Sequence, residues 1–273
     1  MTVERIEEST TKGRSISRRT NFDSGIGSIL VSFASVAVGI LIWHLLSLRF
    51  PPLFLPSPWL TMTAAWDLLL DGTLPQSIAV SLGRILAGWS IGLLIGIPLG
   101  ILMGYFRVVR RILEPYVEFF RFVPPIAFVT LAVIWLGLGE ASKIALILYT
   151  TIFIVMINTI AGVLSVSELR LRAAATLGAG RLQTLLTVIV PSTVPYMVTG
   201  ARLAMGNSFL TIVSAEIVAA QVGLGSMIWT ARNYGKTEWV FVGIIALGVL
   251  GFLCDQAVRL IVRPLRRRYG VTT

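Results

Sequence analysis

A single cysteine, Cys254, and a single histidine, His44, occur in 273 residues. That scarcity excludes a disulfide framework and leaves no Cys/His set with metal-ligand spacing. His44 stands near the end of an apolar run and reads as a packed or interfacial side chain. Charge is scarce as well: Asp, Glu, Lys and Arg make up 13% of the chain, about half the ~25% of a soluble domain. With 55% hydrophobic residues and a mean hydropathy of +0.84, too little polar surface remains to face water, so the solvent is lipid. No Gly-x-x-x-x-Gly-Lys-Ser/Thr stretch is present, which removes a phosphate-cradling loop of that type. There is no nucleophile–base pair in a recognisable motif, which argues against a membrane-embedded enzyme. Nor is there an internal repeat, which argues against a secondary transporter built from duplicated halves.

What the chain does have is a succession of apolar blocks without a soluble-type interval, so it reads as one membrane domain. The expected fold is all-α, a polytopic bundle of about six transmembrane helices. Candidate spans fall at 27–48, 85–106, 123–139, 143–165, 194–220 and 240–262, each near the ~20 residues that cross ~30 Å of hydrocarbon. Residues 1–25 are polar and aperiodic and read as a disordered tail; 264–273 read as a basic tail. The apolar run from 26 to 48 is too long for a signal-peptide core. The net charge is +10, but the basic residues sit at the ends of apolar runs, which indicates membrane orientation and not nucleic-acid binding. With the N-terminus inside, sixteen Lys and Arg fall on inner segments and five, including Arg84 and Lys143, on outer ones. That bias predicts six spans with both termini inside.

Two non-spanning stretches look ordered. In Leu55-Pro56-Ser57-Pro58, Ser57 suits an N-cap and Pro58 the first helical position. Trp59, Met62, Trp66 and Leu69 then recur at helical spacing up to a stop at Gly72, which predicts an interfacial helix on the outer side and places the first span and this helix within 26–75. Residues 107–121 mix apolar and charged side chains before Pro124-Pro125 and suit an elbow helix on the inner face. The core is expected at 76–263. Within it, Gly88, Gly92, Gly96, Gly100 and Gly104 recur every fourth residue. Such a stripe lets another backbone approach closely in lipid; it serves ordinary helix packing or a helix that lines a pore. Pro98 is expected to kink that helix.

Between the fourth and fifth candidate spans, 168–181 forms an alanine-rich helix too polar to span, with Gly178 and Gly180 permitting a sharp turn. An apolar run, Val188-Ile189-Val190-Pro191, follows. A short helix of small residues projecting from a bundle is suited to a groove on a soluble partner.

At this segment the chain resembles the permease subunits of binding-protein-dependent ABC importers. Their signature is Glu-Ala-Ala, three residues, Gly, nine residues, then Ile-x-Leu-Pro. Here Ala173-Ala174, three residues, Gly178, nine residues and Val188-Ile189-Val190-Pro191 keep that spacing. Arg172 departs from it, standing where the family has Glu, and Glu168 one turn earlier is the candidate replacement charge. Leu55-Pro56-Ser57-Pro58, Arg121-Phe122-Val123-Pro124-Pro125-Ile126-Ala127, Trp135-Leu136-Gly137-Leu138-Gly139-Glu140, Thr199-Gly200-Ala201-Arg202, Ala215-Glu216 and Gly223-Leu224-Gly225 resemble the nitrate, sulfonate and taurine branch.

The resemblance implies a type I ABC importer permease fold in the bacterial inner membrane, with multiple passes and cytoplasmic termini. It implies two such chains, a homodimer as is usual for the branch, above two ATP-binding subunits that hold ATP-Mg, and a periplasmic substrate-binding protein. This chain would be a non-catalytic subunit that binds no cofactor or metal. The loop at 166–191 would be the coupling segment that docks on the ATPase, through Glu168, Arg172, Ala173, Ala174, Gly178, Arg181 and Pro191. The solute implied is a small anion such as nitrate, an alkanesulfonate or taurine.

Intramembrane charge draws attention to Arg202, Glu216 and Asp255. Arg202 either attracts an anion or pairs with a carboxylate on a neighbouring helix; Glu216 reads as half of a structural ion pair. Asn207, Ser208, Thr211 and Ser214 give the fifth span a polar side that either lines the path or bonds to other helices. The alternative function is a secondary transporter or channel that works without ATP.

Overall fold

The computed structural model describes the backbone of residues 25–269 and the side chains of 30–263. The tail expected at 1–25 lies, but for Gly25, outside the described residues. No strand occurs among the described residues. Helix α1, Gly25–Ser47, is a peripheral span with most of its side chains exposed. Helix α2, Pro58–Leu70, starts as the sequence predicts: Ser57 Oγ accepts from the Leu60 N–H at 3.2 Å, with Pro58 in the first turn. Its Trp59, Met62, Trp66 and Leu69 form an exposed apolar stripe.

Helix α3, Thr73–Tyr105, follows directly, turned by Gly72 at a φ of 83°. The second span was expected to begin at 85. It begins twelve residues earlier: Ser77, Ser81 and Arg84, polar in sequence, are buried, and Ser81 and Arg84 are bonded to Glu216. The helix also continues through Pro98. Amphipathic α4, Arg107–Phe120, is the expected elbow helix.

A third continuous span at 123–139 is not formed. Pro124 and Pro125 lead into a 3₁₀ turn, Pro125–Phe128, and α5, Val129–Leu136, is closed by Gly137 at a φ of 79°. Eight helical residues reach only ~12 Å, and the segment is bent 91° from α4. Among the described residues, five helices are long and apolar enough to cross a bilayer, and the bent pair brings the number to six if it counts as one span.

That the chain does return here follows from packing. Helix α6, Glu140–Leu164, meets the glycine stripe of α3 residue for residue. Gly88 faces Ile147, Gly92 faces Thr151, Gly96 faces Val155, Gly100 faces Thr159 and Gly104 faces Val163. The offset is constant along the stripe, so α3 and α6 run parallel. Tyr105 and Glu140 therefore lie at opposite ends of the bundle, and 106–139 must carry the chain back between them.

After α6 come α7, Glu168–Thr176, short α8, Arg181–Thr184, a π turn, Leu185–Ile189, and α9, Val190–Ala219. Pro191 lacks the N–H that would bond to residue 187, which accounts for the widened turn before it. Helix α9 runs antiparallel to α6: Gly162 meets Thr193 and Tyr196, Gly200 meets Val155 and Asn158, and Thr151 reaches Ser208. Helix α10, Leu224–Asn233, closes the end of the bundle opposite α7 with α2, through Ala64, Leu68, Leu74, Met227 and Val242. Helix α11, Thr237–Tyr269, returns antiparallel to α9. It continues through Pro264 into the basic residues that follow, as far as Tyr269. Trp43 of α1 stacks on Phe241 near the start of α11 at 5.6 Å.

Candidate functional site: the coupling segment and the polar helix α9

Helix α7 ends in a tight cap that explains the Gly of the signature. The Gly178 N–H donates to Ala175 O and the Ala179 N–H to Ala174 O, both at 3.0 Å, with Gly178 at a φ of 78°. This is the Schellman arrangement, which needs a left-handed residue after the last helical turn. A Cβ at Gly178 would meet nothing within 4 Å, so the requirement is conformational and not steric. The chain then turns into α8, so that α7, α8 and the start of α9 wall an open groove of about 640 Å³ lined by Ala173, Ala174, Leu177, Thr187 and Pro191. Small residues at 173 and 174 keep this groove open. Leu177 in this lining is 87% exposed, and Leu169, on the same loop, is 78% exposed. An unpartnered apolar pair on a polar loop is what a protein partner covers.

The structure thus brings Ala173, Ala174 and Pro191 together. Glu168 and Arg172 pair with each other at 2.6 Å on the exposed side of α7. The Arg that stands in place of the family Glu neutralises the acid one turn earlier. Arg181 lies outside the groove and lines a separate cavity with Arg107 and Arg110 of α4.

On α9, Arg202 is bonded to Asp255 of α11 through Nε and Nη2, at 3.0 and 3.3 Å, and Asp255 is also held by Arg259 at 2.7 Å. Ser208 and Thr211 are buried against α6, where Ser208 donates to Ala204 O and lies near Thr151, and Thr211 lies near Thr150. Asn207 and Ser214 fall on the half-exposed side beside Leu203, Gly206 and Leu210. Neither of their side chains has a hydrogen-bond partner among the described residues.

A cluster not read from the sequence lies at the end opposite α7. Glu216 is fully buried and accepts from Ser81 Oγ at 2.7 Å, from Arg84 Nη1 at 2.8 Å and from the Gly225 N–H at 2.8 Å. Arg84 also donates to Glu140 through Nε and Nη2, at 2.5 and 2.6 Å, and to Val222 O at 2.7 Å. Lys143, 3% exposed, donates to the carbonyls of Leu138 and Gly139. Helices α3, α6 and α9 and the 220–225 loop are tied in one network. Gly223 is required beside it, because a Cβ there would run into the Glu216 carboxylate. The ion pair expected for Glu216 is present. Its partner Arg84 was placed among the outer charges because the polar start of α3 hid that it lies inside a helix.

With this geometry in hand, the sequence model of the family described as "Binding-protein-dependent transport system inner membrane component" matches residues 96–267. The chain belongs to that family. It is an ABC transporter permease of the inner membrane, a multi-pass subunit that works with an ATPase and a binding protein. The taurine transport system permease protein TauC of Escherichia coli is 40% identical over 250 residues, covering 89% of this chain and 90% of that one. The nitrate import permease protein NrtB of Leptolyngbya laminosa is 36% identical over 203 residues, covering 71% and 73%. These relatives place the permease in the nitrate, sulfonate and taurine branch. A chain of the MetNI methionine ABC transporter in an inward facing conformation superposes with a TM-score of 0.64 at 20% identity, covering 72% of this permease and 97% of that chain. That likeness shows the type I importer permease fold.

Proposed function

We propose that two copies of this permease pair as a homodimer and carry a small sulfonate or nitrate-like anion inward, driven by ATP-Mg bound on two partner subunits. A periplasmic binding protein delivers the solute, both termini are cytoplasmic, and this chain itself catalyses nothing and binds no cofactor. The observation that carries the reading is the Schellman-capped α7 beside an open groove, at the family's signature spacing. The relative TauC supports the solute class. The α7–α9 groove of this permease, with the exposed Leu169 and Leu177, docks on the ATPase, and α7 passes the motion to α6 through the short 165–167 link.

The test is reconstitution with the cognate ATPase and binding protein, reading ATP hydrolysis with taurine, an alkanesulfonate or nitrate present. A left-handed residue other than Gly costs about 1–2 kcal/mol, and Asn tolerates it best. Gly178→Val should lower solute-stimulated hydrolysis about tenfold, the factor that ~1.4 kcal/mol makes, while Gly178→Asn retains most of it. The permease alone should still purify folded, since the strain falls on the exposed cap of α7 and not on the packed bundle. Solute flux without any ATPase would overturn the reading in favour of a secondary transporter or channel.

The path runs along the half-exposed side of α9, where Asn207 and Ser214 have free polar groups. Arg202, Arg259 and Asp255 add one net positive charge that favours an anion. Asn207→Leu should therefore slow uptake more than Ser208→Ala, whose hydroxyl faces α6. Equal uptake by both variants would remove Asn207 from the path.

A further inference from the structure

We propose that the cavity between the first turn of α4 and the coupling segment binds the phosphate of an anionic phospholipid headgroup. The cavity, about 480 Å³, is walled by Arg107 and Arg110 of α4, Arg181 at the start of α8, and Leu171 and Ala175 of α7. Among the described residues, three guanidinium groups line it and no carboxylate does. None of the three makes a side-chain hydrogen bond or ion pair among the described residues. The nearby acids are otherwise engaged: Glu118 lies 4.0 Å from Arg121, and Glu168 is bonded to Arg172. Glu114, one turn past Arg110, is exposed and does not line the cavity.

Two further features call for an anion. Arg107 and Arg110 sit in the first turn of a 14-residue helix, where the backbone already presents partial positive charge and basic residues are unfavourable until an anion arrives. Arginine's planar fork matches phosphate oxygens and holds them by two parallel bonds. The depth of the site selects the lipid as the source. One wall is Gly104 and Tyr105, the last residues of spanning helix α3. From there α4 leaves with Val108, Ile112, Tyr116 and Phe119 exposed along one side, the face of a helix lying in the membrane interface. The arginines on its other side therefore meet headgroups, where basic pockets at the cytoplasmic surface hold anionic lipid. Because α7 forms the opposite wall, a bound headgroup bridges the elbow helix and the coupling segment. This proposal rests on the membrane orientation given above.

The test uses the permease–ATPase complex in nanodiscs of phosphatidylcholine with phosphatidylglycerol, followed by native mass spectrometry of the released complex. The expected result is a retained phosphatidylglycerol adduct on the permease. It should weaken on the order of a hundredfold in R107Q/R110Q/R181Q, since each arginine near an anionic surface is worth several-fold. Arg111→Gln, on the same helix but outside the cavity, should keep the adduct. The double variant R107Q/R110Q gives the same reading if the triple variant fails to assemble. A second arm titrates inorganic phosphate onto the delipidated complex. Phosphate binding lost in the variants, without any lipid adduct in the first arm, would overturn the lipid assignment in favour of a soluble anion. An adduct that survives the triple variant, or that Arg111→Gln removes equally, would sink the site altogether. ATPase co-purification is read in the same samples, so failure of the importer reading appears there and not in the adduct.

Discussion

Arg84→Ala is expected to be the most damaging single substitution in the permease, costing about 3–5 kcal/mol, the usual loss when one member of a buried ion pair is removed. The variant leaves Glu216 at 0% exposure with no counter-charge and leaves the Val222 carbonyl without its donor. The bond to Glu140 contributes less, because that side chain is 58% exposed and screened by solvent. Glu140→Gln should therefore cost about 1 kcal/mol or less. Replacing both charges, as in Arg84→Met with Glu216→Gln, should recover much of the loss, since the uncompensated charge is gone. The measurement is the temperature at which the purified permease in detergent loses its monodisperse peak. If Arg84→Ala melts with the wild type, Glu216 is not held as a buried anion and the network is not a structural tie.

The glycine stripe of α3 gives the second large effect. At Gly100 a Cβ would stand 2.6 Å from Thr159 Cβ and 2.8 Å from the Met156 carbonyl. At Gly92 it would stand 2.5 Å from Thr151 Cβ. The obstacles are a backbone atom and branched Cβ atoms, which cannot swing aside, so the helices must separate. Overpacking of this kind costs about 1–3 kcal/mol per site, and it falls on the pair that forms the centre of the bundle. Gly100→Ala and Gly92→Ala should each lower the melting temperature, and the double variant should fail to accumulate as folded protein. Gly83, on the same helix, has open space around it. Gly83→Ala should be neutral or slightly stabilising, because Ala is the better helix former. If all three substitutions behave alike, close approach to α6 is not what these glycines serve.

Much of this was legible in the sequence because it rests on local or periodic signals. Ser57-Pro58 announces α2, the fourfold glycine recurrence announces a close helix contact, and the spacing from Ala173 to Pro191 announces the capped helix α7 and the start of α9. Pairings across the chain were not legible. Arg84 meets Glu140 and Glu216 at separations of 56 and 132 residues, and no local pattern encodes such a meeting. The same blindness explains the start of α3: Ser81 and Arg84 look like loop residues until their partners are known. The segment 123–139 misled in the opposite direction. Its apolar composition suits a span, but two prolines and Gly137 fix backbone conformations that hydropathy does not register. On α9 the polar residues stand out in the sequence, but only the contacts with α6 separate inward-facing Ser208 and Thr211 from open Asn207 and Ser214.

The unbroken register between α3 and α6 has a mechanical consequence. Two helices locked glycine to side chain over 16 residues, roughly 24 Å, cannot slide or splay independently, so they act as one stiff lever. Glu140 and the charge cluster sit at one end of that lever, and Leu164, four residues before the start of α7, sits at the other. A tilt of about 10° around the midpoint of the 25-residue α6 displaces each end by roughly 3 Å in opposite directions. That is comparable to the length of one hydrogen bond, enough to make or break the Arg84 bonds to Glu216 and the Val222 carbonyl, while the Arg84–Glu140 pair moves with the lever.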